Sequence, residues 1–147
     1  MNDMKKTEQA VTLFGEGYNC AQAIIKVFGD NLGIDDKTAK TLGRTLGGGI
    51  GHLGQMCGAV TGAAMVLAHL ESTPVDEQEA RRETHSLVQA LAADFEKKNG
   101  CLTCRDLLGA DISTEEGKKK IVEEELVGKK CHVFVRDAAS FIEELID

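Results

Sequence analysis

A chain of 147 residues fits one domain and is long enough to bury about 68–70% of the surface its unfolded form exposes. A net charge of −7, with acidic and basic residues interspersed, leaves no basic face for phosphate and excludes nucleic acid as a partner. The opening MNDMKKTEQAV lacks the apolar stretch of a secretory signal, and the longest apolar run, Met56 to Leu70, falls short of the roughly 20 residues that span a bilayer. A soluble, cytoplasmic protein is expected. Aromatic residues make up only 4% and tryptophan is absent, so the core must come from Ala, Val, Leu, Ile and a few Phe, which favours close helix packing.

The hydrophobic pattern is helical almost throughout. Residues 7–14 give a short amphipathic segment ended by Gly15 and Gly17. Asn19 starts a second helix, its side chain placed to accept the free amide near Gln22, with Ala23, Ile24, Val27 and Phe28 turned inward. Asp35 caps a third helix carrying Ala39, Leu42 and Leu46, and the glycine stretch from Gly47 stops it. A fourth, apolar and central, runs from about Gln55 to Leu70. Thr73-Pro74-Val75-Asp76 supplies a cap, a proline at the first helical position and an acidic partner at the third for a long fifth helix. Its stripe is Ala80, Thr84, Leu87, Val88, Leu91 and Phe95, and it ends at Asn99-Gly100. Ser113 to Glu116 reads as a capping box ahead of a helix over Lys118 to Val127, stopped at Gly128. A last helix places Val135, Ala138, Ile142 and Leu145 on one face. No segment alternates as a strand does, and no repeat or low-complexity linker divides the chain. The expected fold class is all-α: residues 1–147 as a single-domain irregular helical bundle with a glycine-rich loop before the central apolar helix.

That loop and the start of the next helix read GGGIGHLGQMCGAVTG over residues 47–62. Gly49, Gly51 and Gly54 match the G-x-G-x-x-G spacing of dinucleotide sites, but such a site needs a preceding strand, and DDKTAKTLGRTL is capped and periodic as a helix. The same physics suits a different anion. Free amides and a partial positive charge at a helix N-terminus stabilise a thiolate, and Cys57 is expected in the first turn of such a helix, with its pKa lowered. Gly58, Gly62, Ala59 and Ala63 leave a bare face on which another backbone or a partner thiol can come close.

Five cysteines, Cys20, Cys57, Cys101, Cys104 and Cys131, are many for a reducing compartment and odd in number, which favours thiol chemistry or metal binding over a secreted disulfide framework. Cys20 follows the Asn19 cap and so also sits in a first turn. Cys101 and Cys104 form a C-x-x-C after Asn99-Gly100, with Arg105 as a cation beside them, but without the βαβ surroundings of a thioredoxin fold. Cys131 lies between Lys129-Lys130 and His132, an electropositive setting at an expected helix start.

These features carry a resemblance over nearly the whole chain. Cys20 in NCAQA, the CGAVTG of residues 57–62, Cys104 in CRDLLG and Cys131 before the last helix resemble the four-cysteine pattern of the C_GCAxxG_C_C family, a group named for redox activity. The resemblance implies a single helical domain in which Cys20, Cys57, Cys104 and Cys131 are the family cysteines and Cys101 is an addition. A related domain accompanies haem-binding segments in split-Soret cytochromes, but no C-x-x-C-H is present and covalent haem is not implied.

Thiol–disulfide redox chemistry is therefore the expected function, in which Cys57 or Cys20 attacks and a second cysteine resolves, with Cys101 and Cys104 as the resolving or recycling pair. It needs no cofactor, and its partner is a redox protein of unidentified type; a second copy of the chain is a further candidate. The alternative is a zinc or iron–sulfur site on Cys20, Cys57, Cys104 and Cys131, with His132, His52, His69 and His85 as reserve donors. A third reading is an interaction module with inert buried cysteines. His52 is a candidate proton acceptor for Cys57, whereas Lys118-Lys119-Lys120 and Glu123-Glu124-Glu125 read as a solvated helix surface held by i,i+4 pairs. No Ser/His/Asp spacing, carboxylate pair or phosphate loop points to hydrolysis or phosphoryl transfer.

Overall fold

The computed structural model describes residues 4–70 and 76–147. Among them the chain is all-α, built from α1 (Lys6–Gly15), α2 (Cys20–Gly29), α3 (Asp36–Arg44), α4 (Gly58–Leu67), α5 (Glu77–Asn99), α6 (Cys104–Leu108), α7 (Glu115–Glu123) and α8 (His132–Ile146). A 3-10 turn, Asp30–Leu32, follows α2, and a π turn, Val127–Cys131, leads directly into α8.

The second helix is the hub. Asn19 and Gln22 cap it reciprocally: the Gln22 amide donates to the Asn19 side chain at 2.7 Å and the Asn19 amide to the Gln22 side chain at 2.9 Å. Ala21, Ala23, Ile24, Ile25, Val27 and Phe28 are buried on it, and α1, α3, α4 and α8 all pack around it. Small residues bring α4 closest. A Cβ on Gly62 would stand 2.8 Å from the Ala21 Cα, so only a bare backbone permits this spacing, since interaxial distance follows the side chains at the contact. Leu67 of α4, Leu91 and Phe95 of α5 and Ile142 of α8 are fully buried with Ile24 and Ile25. Each such side chain contributes roughly 1.5–3 kcal/mol of hydrophobic burial. Phe95 and Phe134 meet with ring centroids 6.0 Å apart.

The first helix is capped from the far end of the chain. Lys5 offers no side-chain cap; instead the Glu143 carboxylate of α8 accepts the Lys6 amide at 3.1 Å, the Thr7 amide at 3.0 Å and the Thr7 hydroxyl at 2.6 Å.

Several helix boundaries depart from the sequence pattern. The fifth helix begins at Glu77 with Asp76 as its cap, accepting the Glu79 amide at 2.8 Å; Thr73, Pro74 and Val75 lie outside the described residues. The third closes at Arg44, leaving Leu42 40% exposed while Ala39 and Gly43 face inward, because the chain turns left-handed from Gly48 onward. The fourth starts at Gly58 rather than Gln55, since Met56 pairs with Thr103 in an isolated antiparallel bridge and the Cys57 amide donates to the Leu102 carbonyl at 2.8 Å. Thr114, not Ser113, caps α7, the Ser113 hydroxyl being taken by Asp111 at 2.6 Å. Gly128 stops nothing. The break falls earlier, at Glu125 with φ 54°, and the chain stays helical from the π turn through α8. Leu145 is exposed beyond the buried Val135, Ala138 and Ile142. On α7, Lys119 reaches Glu123 at 4.0 Å, while Lys118 pairs with Glu115 and Lys120 donates to the Gly109 carbonyl.

Candidate functional site

A cavity of about 730 Å3 lies among α1, α2, α6, the π turn and the start of α8, and Cys20, Cys57, Cys104 and Cys131 all line it. Each arrives by a different local device. Cys20 is the first residue of α2, set there by the Asn19 cap. Cys57 is the residue preceding α4 and occupies its N-cap position rather than the first turn. Cys104 opens the short α6, and its amide donates to the Gln55 carbonyl at 2.5 Å. With the Cys57 amide on Leu102, the Arg105 amide on Gly54 and the Arg105 Nε on Gly54 at 3.2 Å, residues 54–57 and 102–105 run side by side. That pairing brings Cys104 to the same wall as Cys57. Cys131 closes the π turn, whose Val127, Gly128 and Cys131 face the cavity together with His132; single π turns inside helices are frequently found at functional sites.

The glycine-rich stretch provides the floor. Gly48, Gly49, Ile50, Gly51 and His52 follow one another with φ of 67°, 76°, 66°, 57° and 60°, a left-handed turn that costs a residue with a Cβ roughly 1–2 kcal/mol. Hydrogen bonds from Gly51 to Thr45 at 2.6 Å and from Gly54 to Gly48 at 3.0 Å close it. Because a helix, α3, precedes Gly49, Gly51 and Gly54, the strand that a dinucleotide site requires is absent. The decisive bare position is Gly58, where a Cβ would collide with the Cys20 sulfur.

The electrostatics correct one expectation from the sequence. Helix starts do not lower these thiol pKa values. Burial pushes the Cys20 thiol up, opposed by hydrogen bonds from the amides of Ala21, Gly48, Cys20 itself and Gly58. Burial, then the charge of Cys20, puts Cys57 well above its usual value. Cys104 is pushed up to about 11 by burial and then by Cys20, against the pull of Arg105, and Cys131 to about 12 by burial and then by Cys20 and Cys104, against Lys130. Loss of hydration outweighs the partial charge of a helix end, and sulfurs sharing one cavity penalise each other's ionisation. Cys131 also has no helix start to use, since the π turn runs on into α8. Cys20 is the common neighbour in this set: its charge acts on each of the other three.

Cys101 is half-buried and packs beside the main core; the cavity wall does not include it. His52 and His132 reach the wall, His52 as an exposed side chain of the left-handed turn and His132 with Nδ1 3.2 Å from the Gly128 carbonyl. His69 sits near the end of α4 with Nδ1 3.2 Å from the Met65 carbonyl, and His85 is exposed on α5. Arg44, Phe14, Ile112 and Phe134 line the cavity without having been marked by any motif. Among the described residues, no three His, Cys, Asp or Glu side chains come together so as to hold a metal ion.

A family model described as a putative redox-active protein, C_GCAxxG_C_C, matches residues 18–145. The chain belongs to the C_GCAxxG_C_C family. No curated protein and no solved structure matches it. The stretch matched by the C_GCAxxG_C_C model contains all five cysteines, including the CGAVTG run whose Gly58 touches the Cys20 sulfur. Among the described residues of this C_GCAxxG_C_C protein, no helix is long and apolar enough to cross a membrane.

Proposed function

We propose that this protein carries two electrons by thiol–disulfide exchange, with Cys20 as the attacking sulfur and Cys57 as its resolving partner. The observation that carries this reading is the place of the Cys20 sulfur, packed on the bare Gly58 next to Cys57 in the cavity that Cys104 and Cys131 also line, where backbone amides favour its charged form against burial. Amides aimed at a sulfur stabilise the thiolate at the moment it forms, as an oxyanion hole stabilises an alkoxide, and the thiolate is the reacting form.

Cys20 gives up its proton and attacks one sulfur of a bound disulfide; that S–S bond breaks and the departing sulfur takes a proton. Cys57 then attacks the mixed disulfide, forming the Cys20–Cys57 bond and releasing the second substrate sulfur as a thiol. Two electrons and two protons pass to the substrate. Cys104 on the cavity wall and Cys101 outside it form a C-x-x-C suited to hand electrons inward from a dithiol partner protein, and such a cycle fits a reducing compartment, the cytoplasm.

The test begins with reduced protein under anaerobic conditions and adds one equivalent of 2-hydroxyethyl disulfide. Two thiols should disappear and disulfide mapping should recover Cys20 joined to Cys57, while Cys20→Ser should slow exchange by on the order of a hundredfold or more. Five unreacted thiols in folded protein would end the proposal. Stoichiometric zinc or iron with a visible absorption band in protein purified without oxygen would move the assignment to the metal reading.

A further inference from the structure

The cavity is larger than four sulfurs need, and its chemistry is lopsided. Phe14, Leu107, Ile112, Val127 and Phe134 make its body apolar. The protein carries 24 acidic residues against 17 Lys and Arg, yet among the described residues no carboxylate stands on the cavity wall, whereas Arg44, His52 and His132 do. The other polar side chains there are already engaged: the Tyr18 hydroxyl donates to Asp36 at 2.9 Å, and the Asn19 side chain is held by Gln22 and by the Gly43 carbonyl. Arg44, the last residue of α3, has no carboxylate within ion-pair distance among the described residues. An apolar chamber lined by four cysteines and by an exposed arginine that has no ion pair among the described residues defines its occupant by complementarity.

Resting on the exchange reading above, we infer that the cavity binds a small disulfide with an apolar body and one anionic end, held by its charge at Arg44 and presenting its S–S bond to Cys20. Arg44 is exposed; contact of an anion with its guanidinium orients the molecule at the cavity, and the apolar walls exclude water from the reacting sulfurs. The substrate leaves with its S–S bond reduced to two thiol groups and the protein as the Cys20–Cys57 disulfide, which the dithiol partner returns to two thiols.

Lipoate and its neutral amide form a matched pair of probes for the charge. Their reduced forms do not exchange with the fully reduced protein, so calorimetry reads binding alone. Dihydrolipoate should bind one per chain and about threefold more weakly to Arg44→Gln, while dihydrolipoamide should bind both proteins alike; Ile112→Phe, checked for folding by circular dichroism, should weaken both ligands. Absence of saturable dihydrolipoate binding, or equal affinity in the parent and Arg44→Gln, overturns the inference. Reduction of 2-hydroxyethyl disulfide is measured alongside. If that reaction proceeds while the Arg44 effect is missing, exchange stands and the ligand assignment falls. If it fails while dihydrolipoate binds through Arg44, the site stands and the exchange chemistry falls.

Discussion

The chemistry turns on contacts to a single sulfur. Gly58 lies in ordinary right-handed helix, so alanine there meets no backbone strain, and helix propensity favours it by about 1 kcal/mol. The obstacle is the Cys20 sulfur, which a Cβ at residue 58 would push aside. Gly58→Ala should therefore keep its helical circular dichroism while losing exchange with 2-hydroxyethyl disulfide by about a hundredfold, the scale associated with small misplacements of reacting atoms. Unchanged exchange kinetics would show that the fit between Gly58 and Cys20 is packing alone.

At the level of elements, the closure of α8 onto α1 depends on Glu143. Burial pushes its carboxyl up, but the Thr7 hydroxyl and the Thr7 and Lys6 amides outweigh this and hold it below the usual range. A depressed carboxylate contributes stability that is complete above the unfolded value of about 4.3 and is lost as pH falls through the lower folded value. Glu143→Ala should cost about 1–2 kcal/mol near neutral pH in urea unfolding, the range of a lost helix cap. Its acid-induced loss of stability should be shallower than the parent's. Parallel acid profiles would exclude Glu143 as the cap that matters.

For the molecule as a whole, four thiols in one cavity join stability to alkaline pH. With Cys104 raised to about 11 and Cys131 to about 12, the unfolded chain loses these protons first, from about 8.5 upward. The unfolded state then binds fewer protons than the native state, so stability is intact below that point and falls as pH rises through the folded values. The urea midpoint should drop between about pH 8 and pH 10.5, and less so in Cys104→Ser/Cys131→Ser. Equal slopes in the two proteins would place the sulfurs in water rather than in a shared apolar cavity.

Local signals in the sequence determined the helical class, the Asn19 and Asp35 caps, the inward stripe of α5 and the family, because periodicity, capping and motif spacing act within a few residues. The same signals misplaced the starts of α4 and α7, where bridge pairing to Thr103 and the hold of Asp111 on Ser113 set the boundary; α5 starts at Glu77 behind an Asp76 cap. Tertiary structure alone decided that Glu143 caps α1 from the opposite end of the chain, that Arg44 lines the same cavity as the sulfurs, and that Cys101 does not. It also reversed the sign of the thiol shifts. A helix start is written in neighbouring residues, but the loss of water around a sulfur depends on what the rest of the fold brings against it, and here burial prevails over the helix end.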